Sequence, residues 1–446
     1  MRILLVNPPR SPHNDIFDHA PEEARRFIHR KLIGPPLGLL TVAAAVPDHE
    51  VTVLDMKGER DLDPLAPSSD ELMRRWLERT SPGIVGTTCI ASELGAGMRI
   101  LRAAKSFDPC ILTVAGGLHA TLCPLDFEGG EADVVCPGPS AHVFRRIVEA
   151  REKGETLEGI GGIYLAREGR LSLTAPTPEP CDPAGADFVM PARHHLERWL
   201  STYRVGRSAG PATYLFTSLG CPHRCTFCSI WPQHGGAFMQ RSIESIVEEL
   251  GTLERYPVVR LADANTVVDP GFARRLFDAI AAEGIRKQVI MDMRVDTAAA
   301  NPGLVEVMAR AGLIVVICGF ESFRDGELAR YNKGTEARLI HEAVRIFHEN
   351  GVMVRGNYVV PPDYGEDDFK ALADFASTHR VAYAGYTILT PFPGTAFHEE
   401  VREKIVERDL DRYNLFNAVL ETRLPKARFL ENVGRLWTVR EGTDVI

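Results

Sequence analysis

Several features are absent from the chain of 446 residues. It has no uninterrupted apolar run of about 18 residues, so no membrane span is expected. Its opening stretch, "MRILLVNPP", has neither the length nor the flanks of a secretory signal and reads as a first strand. No internal repeat or low-complexity segment is present, which excludes a solenoid. Basic residues are not in excess. Lys and Arg number 51 against 60 Asp and Glu, and the net charge of -9 and pI near 5.9 argue against nucleic acid as the main partner. A paired cysteine framework is also missing. The nine cysteines are an odd number and only three are clustered, so a secreted disulfide scaffold is not expected and a reducing cytosol is. The first strand is not followed by G-x-G-x-x-G, which removes a dinucleotide-binding reading.

The composition, 45% hydrophobic and 25% charged, is that of a globular protein with a sizeable core, and the length suits two or three domains. Over residues 1–150, "RILLVN", "EVTVLDM", "GIVGTTCIAS", "CILTVAGGLHAT" and "ADVVCPG" alternate with helical stretches such as "GPPLGLLTVAAAV". That pattern predicts a doubly wound, Rossmann-like parallel sheet with a ligand crevice at the strands' C-terminal ends. The loops facing it would be Asn7-Pro8-Pro9, Thr87-Thr88, Gly116-Gly117-Leu118-His119 and Gly138. Residues 151–205, with "TAPTPEPCDPAGADFVMP", read as a connector.

A second alternation occupies residues 206–397. "TYLFTSL", "VVRLAD", "QVIMDM", "LIVVICGF", "VMVRGNYVV" and "YAGYTILT" are strand-like. Between them, Ser242 is placed to N-cap one helix, Asp269-Pro270 to open a second that stops at Gly284, Asn301-Pro302 a third, Thr335 a fourth, and a fifth starts near Gly365. Six β–α repeats predict a partial (β/α)6 barrel. The remainder, 398–446, is charged and expected to be helical.

Just after the first of these strands stands "TSLGCPHRCTFCSIW", with Cys221, Cys225 and Cys228 in the spacing C-x3-C-x2-C. A disulfide needs two thiols and a closed structural zinc site usually needs four ligands. An iron–sulfur cluster that only carries electrons is held by four thiolates. Three thiolates on a four-iron cluster would leave one iron open to a substrate or cofactor. The other reading is zinc, completed by His223 or His234.

With these residues in view, the second half resembles the radical S-adenosylmethionine (SAM) superfamily, through the cysteine motif and the strand ends "LADANT", "MDMRVDT", "CGFES", "GNYVVPPD" and "TPFPGT". The resemblance implies a cluster on Cys221, Cys225 and Cys228 and a SAM molecule on its open iron. It also implies a SAM contact at Glu321, the backbone of Phe227 beside the adenine, and further contacts at Arg294, Asn357 and Thr387. The purely structural alternatives are a cap on the next helix for Glu321, which ranks behind the SAM contact, and a pairing with Asp263 or Asp296 for Arg294.

The "GGLHAT" loop resembles that of the cobalamin-binding domains found ahead of such barrels, which implies cobalamin contacts at Thr87, Gly116, Gly117, His119, Thr121 and Gly138. No D-x-H triplet occurs, so a cobalt-ligating histidine of the D-x-H-x-x-G type is not expected, and "CPGPSAH" stands where acidic "GEGE" is usual.

Together these features resemble cobalamin-dependent radical SAM enzymes, and within them the hopanoid C-3 methylase-like subgroup. The resemblance implies a C-methyltransferase for a small-molecule or lipid-like substrate. A deoxyadenosyl radical would remove hydrogen from an unactivated carbon, methylcobalamin would supply the methyl group, and a flavodoxin or ferredoxin would supply electrons. The alternatives are a cyclase without methyl transfer, a methylthiotransferase, for which an N-terminal cysteine triad is lacking, and a non-catalytic cobalamin or redox sensor.

Overall fold

A computed structural model describes residues 1–28, 34–175, 181–205, 210–379, 381 and 383–439. The chain forms two compact units, one from Met1–Pro12 with Pro35–Tyr203, the other from His13–Gly34 with Arg204–Ile446.

The first unit is built on a seven-stranded sheet: β1 (Arg2–Asn7), β2 (Glu50–Asp55), β3 (Ile84–Thr88), β4 (Leu112–Gly116), β5 (Val134–Val135), β6 (Tyr164–Arg167) and β7 (Arg170–Leu173), in the order β2-β1-β3-β4-β5-β6-β7. β1 to β5 run parallel and the last two antiparallel. β1 is buried at five of its six positions, as its unbroken apolar run requires of a strand covered on both faces. The strand order reverses between β1 and β3, so the C-terminal ends there open a crevice, as expected for a doubly wound sheet.

The stretch expected to be a connector contributes β6 and β7, joined by Glu168 and Gly169 at φ 51° and 78°. Both central residues at positive φ are what a tight hairpin of matching twist demands. The short alternation "YLAREGRLSL" carries too few apolar residues to stand out in a stretch rich in Pro and Ala. Within the same stretch, residues 176–180 lie outside the described residues.

In the second unit six strands form one parallel sheet in the order β15-β14-β13-β12-β11-β8: β8 (Ala212–Leu215), β11 (Val258–Leu261), β12 (Gln288–Asp292), β13 (Leu313–Glu321), β14 (Met353–Val360) and β15 (Tyr383–Ile388). β9 (Ser218–Gly220) and β10 (Phe238–Gln240) make a separate antiparallel pair. Alternate residues of the barrel strands share two apolar layers. Val259, Leu261, Val289, Met291, Val316, Cys318 and Val354 pack against the helices, while Ala212, Val258, Ile290, Val315 and Ile317 form another cluster.

Helix starts largely follow the expected caps. The Ser242 hydroxyl accepts from the Ser245 N–H at 3.1 Å, and Asp269 accepts from the Gly271 N–H at 2.8 Å ahead of Pro270.

Three local expectations fail. "TYLFTSL" is not one strand but breaks at Phe216-Thr217 between β8 and β9. Thr335 caps no helix. The helix Arg338–Glu349 begins after Ala337, whose N–H is accepted by the Asp325 carboxylate at 2.8 Å. Among its described residues, the segment after 397 is helical only over Ala396–Val401 and Lys426–Leu436, apart from two short 3-10 turns. Between these helices the buried Asn417 amide donates to the Arg412 carbonyl and the Asn414 side chain and accepts from the Asp15 N–H. Such side-chain bonds to backbone hold a loop where composition alone would favour helix. Among the described residues no helix is long and apolar enough to cross a membrane.

Candidate functional site

In the second unit the three thiols lie on the loop that joins β9 to β10, residues 221–237. Its entrance is fixed by Asp263, a fully buried carboxylate at the end of β11. Asp263 accepts from the Thr217 and Ser218 N–H groups at 2.8 and 2.7 Å, and from their hydroxyls at 2.9 and 3.2 Å. Burial raises its pKa and these bonds oppose that rise. Gly220 has φ 79°, and a Cβ there would meet the Ala237 carbonyl at 2.0 Å, so only glycine lets the strands of this pair approach. The exit is fixed by Arg241, whose guanidinium donates to Glu249 at 2.6 Å, to the Phe216 carbonyl at 2.7 Å, and to the carbonyl and hydroxyl of Ser245. Both ends of the loop are therefore anchored by buried, multiply bonded charges.

Within the loop, the Cys228 N–H donates to the Cys225 carbonyl at 3.2 Å, the Ile230 N–H to Cys228 Sγ at 3.4 Å, and Trp231 Nε1 to the Cys225 carbonyl at 3.0 Å. The loop is then laced to the segment that follows β13. Thr226 N–H donates to the Tyr331 carbonyl at 3.0 Å, Asn332 Nδ2 donates to the Arg224 carbonyl at 2.8 Å, and Phe227 meets the Tyr331 ring edge-on at 5.5 Å. Burial pushes all three thiols up in pKa, and each is also pushed up by a neighbouring thiol of the set. The Lys333 ammonium acts the other way on all three, and Arg294 on Cys221 and Cys225. Three thiols on one anchored loop with cations beside them form a donor set suited to a multinuclear iron centre, whose sulfur-rich core carries negative charge.

The other expected residues of this unit fall at barrel strand ends. Glu321 ends β13 with φ 60°, at a register shift against β14. Its carboxylate folds back over Gly319, where a Cβ would lie 2.2 Å from Oε1, and it accepts from Lys333 Nζ at 2.8 Å. Arg294 donates to Asp296, not Asp263, and to the carbonyls of Lys333 and Gly334. Asn357 accepts from Arg355 at 3.4 Å and faces Gly385, whose missing side chain leaves it room. The Thr387 hydroxyl donates to the Tyr358 carbonyl. Neither Lys333 nor the role of Asp263 follows from the sequence. Lys333 lies inside "ARYNKGT" as one lysine among polar neighbours, a pattern with no periodicity to mark it.

In the first unit the glycine loops converge. Gly117 has φ 94°, and a Cβ would strike Thr88 Oγ1 at 2.4 Å and the Cys89 N at 2.8 Å. Thr121 Oγ1 donates to the Gly117 carbonyl and accepts from the Gly138 N–H at 2.9 Å, joining the loops after β4 and β5. Gly138 has φ 74° with no heavy atom within 4 Å of its would-be Cβ, and Gly116 meets only ordinary contacts. This ledge of side-chain-free backbone suits the close approach of a large flat ligand. Two expected contacts are engaged elsewhere. Thr87 is buried, its hydroxyl donating to the Val6 carbonyl. His119 is 2% exposed and its Nε2 lies 2.9 Å from Asp126 Oδ2. Asn7 likewise spends its amide on Asp55, which also accepts from the Tyr203 hydroxyl at 2.6 Å.

A profile of the radical SAM superfamily matches residues 215–376, and one of the B12 binding domain matches residues 26–148. The chain is a B12-binding radical SAM protein. Its cofactors are accordingly a [4Fe-4S] cluster, SAM and cobalamin. This radical SAM protein is 28% identical over 409 residues to an uncharacterized methyltransferase of Pyrococcus horikoshii, covering 90% of this chain and 83% of that protein. It is 26% identical over 404 residues to the hopanoid C-3 methylase of Methylococcus capsulatus, covering 88% and 74%. Among solved structures it resembles the radical SAM methyltransferase TsrM of Kitasatospora setae, solved with cobalamin and a [4Fe-4S] cluster bound, with TM-score 0.68, 20% identity, and 90% and 74% of the two chains covered. That similarity establishes the shared fold.

Proposed function

We propose that this enzyme is a cobalamin-dependent C-methyltransferase acting on an unactivated carbon of a small-molecule or lipid-like substrate. The observation that carries the reading is the pairing of an anchored three-thiol loop at one set of strand ends with a glycine ledge at another, each in its own unit, in a chain whose relatives bear methyltransferase names. When bound, the cluster and SAM supply a carbon-centred radical, and cobalamin a transferable methyl group.

The chain's own residues bind, orient and shield. Cys221, Cys225 and Cys228 hold the cluster. Arg294 ties the segment bearing Lys333 to the start of the helix Val295–Ala300. Glu321 presents a carboxylate to the SAM ribose or amino group, the Phe227 backbone borders its adenine, and Asn357 and Thr387 complete the barrel's strand-end contacts. In the first unit Gly116, Gly117 and Gly138 admit the corrin, Thr121 fixes their spacing, and Thr87 and His119 act from behind it as supports. An electron donor of the flavodoxin or ferredoxin class completes the system. The cysteines are free thiols, which supports a reducing cytoplasm as the site of action.

Turnover with SAM carrying a deuterated methyl group tests the reading. The label should appear in the product, with deoxyadenosine and S-adenosylhomocysteine accumulating together. Deoxyadenosine and product without label would assign a cyclase instead, and no deoxyadenosine at all would leave a sensor.

A further inference from the structure

The segment after β13 does more than close the barrel. Tyr331 meets the cysteine loop through a backbone bond and an aromatic edge and Asn332 through a side-chain bond, and Asn332 holds φ 52°, in the left-handed region that asparagine enters more readily than most residues. The chain there is held to one path, and what that path delivers is Lys333. Its Nζ lies 2.8 Å from Glu321 Oε1, and both side chains are 11% exposed. Gly319 is the residue that leaves space for the pair, since a Cβ would stand 2.2 Å from Glu321 Oε1 and 2.8 Å from Lys333 Nζ. A buried ammonium is costly unless paired, and a charge held under those terms acts strongly on its surroundings. Lys333 directly follows Asn332, whose amide is bonded to the Arg224 carbonyl beside Cys225, and Tyr331, whose carbonyl accepts from Thr226 on the other side of that cysteine, so the ammonium is carried by the segment that borders the motif. A second cation of the neighbourhood, Arg294, is held by the Asp296 carboxylate through Nε and Nη2.

We propose that Lys333 is a positioning residue for reduction of the cluster: its buried ammonium, fixed by Glu321, stabilises the added electron and raises the reduction potential of the site. This rests on the assignment of the cluster to Cys221, Cys225 and Cys228. The step is one-electron: a low-potential donor of the flavodoxin or ferredoxin class is oxidised and the cluster takes the electron, with no bond made or broken in the protein. Because reduction adds one negative charge, a nearby cation favours the reduced form, and removing it makes the potential more negative. Removing the Glu321 charge has the opposite effect, since the ammonium is then uncompensated.

The test is a redox titration of the full-length protein, reconstituted with iron, sulfide and cobalamin, followed by the electron paramagnetic resonance signal of the reduced cluster. Lys333→Met should hold wild-type iron, yet its reduced-to-oxidised ratio at a fixed low potential should fall at least tenfold, equivalent to about 59 mV for a one-electron couple. Lys333→Arg should stay near wild type, and Glu321→Gln should shift upward. A Lys333→Met protein with normal iron and an unmoved midpoint overturns the proposal. Where Lys333→Met fails to hold iron, Glu321→Gln decides: a raised midpoint sustains the proposal, and an unchanged or lowered one refutes it. Loss of iron from both variants also refutes it, because the pair would then be only a structural tie. Absence of a cluster signal in the wild type would instead strike at the cluster assignment itself.

Discussion

Asp263→Ala is the most direct test of how the cysteine loop is held. The substitution takes the acceptor away from four donors, two of which, the Thr217 and Ser218 N–H groups, belong to rigid backbone at a buried strand junction. The two hydroxyls can rotate toward other acceptors, but the two N–H groups cannot. Each stranded buried donor costs about 1–3 kcal/mol, so the loss should be about 2–6 kcal/mol, a large part of the ~5–15 kcal/mol that keeps a domain folded. Relief from holding a buried carboxylate, whose pKa burial pushes up, brings the figure toward the lower half of that range. Because the junction precedes Cys221 by so few residues, its loosening should also reduce retained iron. Urea unfolding followed by circular dichroism, together with iron content after gel filtration, measures both. Asp263→Asn should fall between alanine and wild type, since its carboxamide keeps one oxygen but turns a donor toward donors. An Asp263→Ala protein with an unshifted urea midpoint and full iron would show that this carboxylate anchors nothing.

Replacing Cys221, Cys225 or Cys228 singly by Ala should abolish cluster iron and reductive SAM cleavage, whereas single replacement of any of the other six cysteines should leave the iron in place; iron analysis and deoxyadenosine release decide. His379, buried at 3% exposure and stacked on His341 at 3.9 Å, has its pKa lowered from 6.5 to about 4, chiefly by burial. The unfolded chain then binds a proton that the folded one declines, so stability is fully present above pH 6.5 and is lost as the pH falls from 6.5 toward 4. Thermal unfolding across that window should be flatter in His379→Gln than in wild type, and identical slopes would remove His379 as the cause.

Much of the architecture was legible because periodicity reports burial. The six barrel strands and their order follow from apolar runs separated by capped helices, as at Ser242 and Asp269-Pro270. The hairpin of β6 and β7 was not legible, since half-exposed strands of four residues leave little hydrophobic signal. The cysteines were legible because thiol spacing is specific chemistry. Lys333, Asp263 and Tyr203 were not, because their work lies in contacts made across long stretches of chain. Lys333 and Glu321 are twelve residues apart, Thr217 and Asp263 forty-six, and Tyr203 and Asp55 one hundred and forty-eight. Thr87 and His119 show the converse. Both stand on the expected loops, but neighbours from other strands and turns, Val6 and Asp126, claim their polar atoms.

The second unit takes residues 13–34 from within the first unit's stretch of sequence, and pins Asp15 to Asn417 and Arg412 across about four hundred positions. Ile16, Ala20 and Ala24 share a core with Phe429, Leu430 and Val433 of the helix Lys426–Leu436. During synthesis, therefore, the barrel can assemble its strands in order yet keep this flank open until the helix Lys426–Leu436 has left the ribosome. Closing a contact of that span is slow relative to forming neighbouring β–α pairs. A newly made chain would thus pass through a stage with its barrel largely formed and an apolar face uncovered, a natural recognition mark for chaperones. Cutting the gene between the two halves would not yield two independent proteins, because a cut near residue 205 takes from the barrel the segment that seals it.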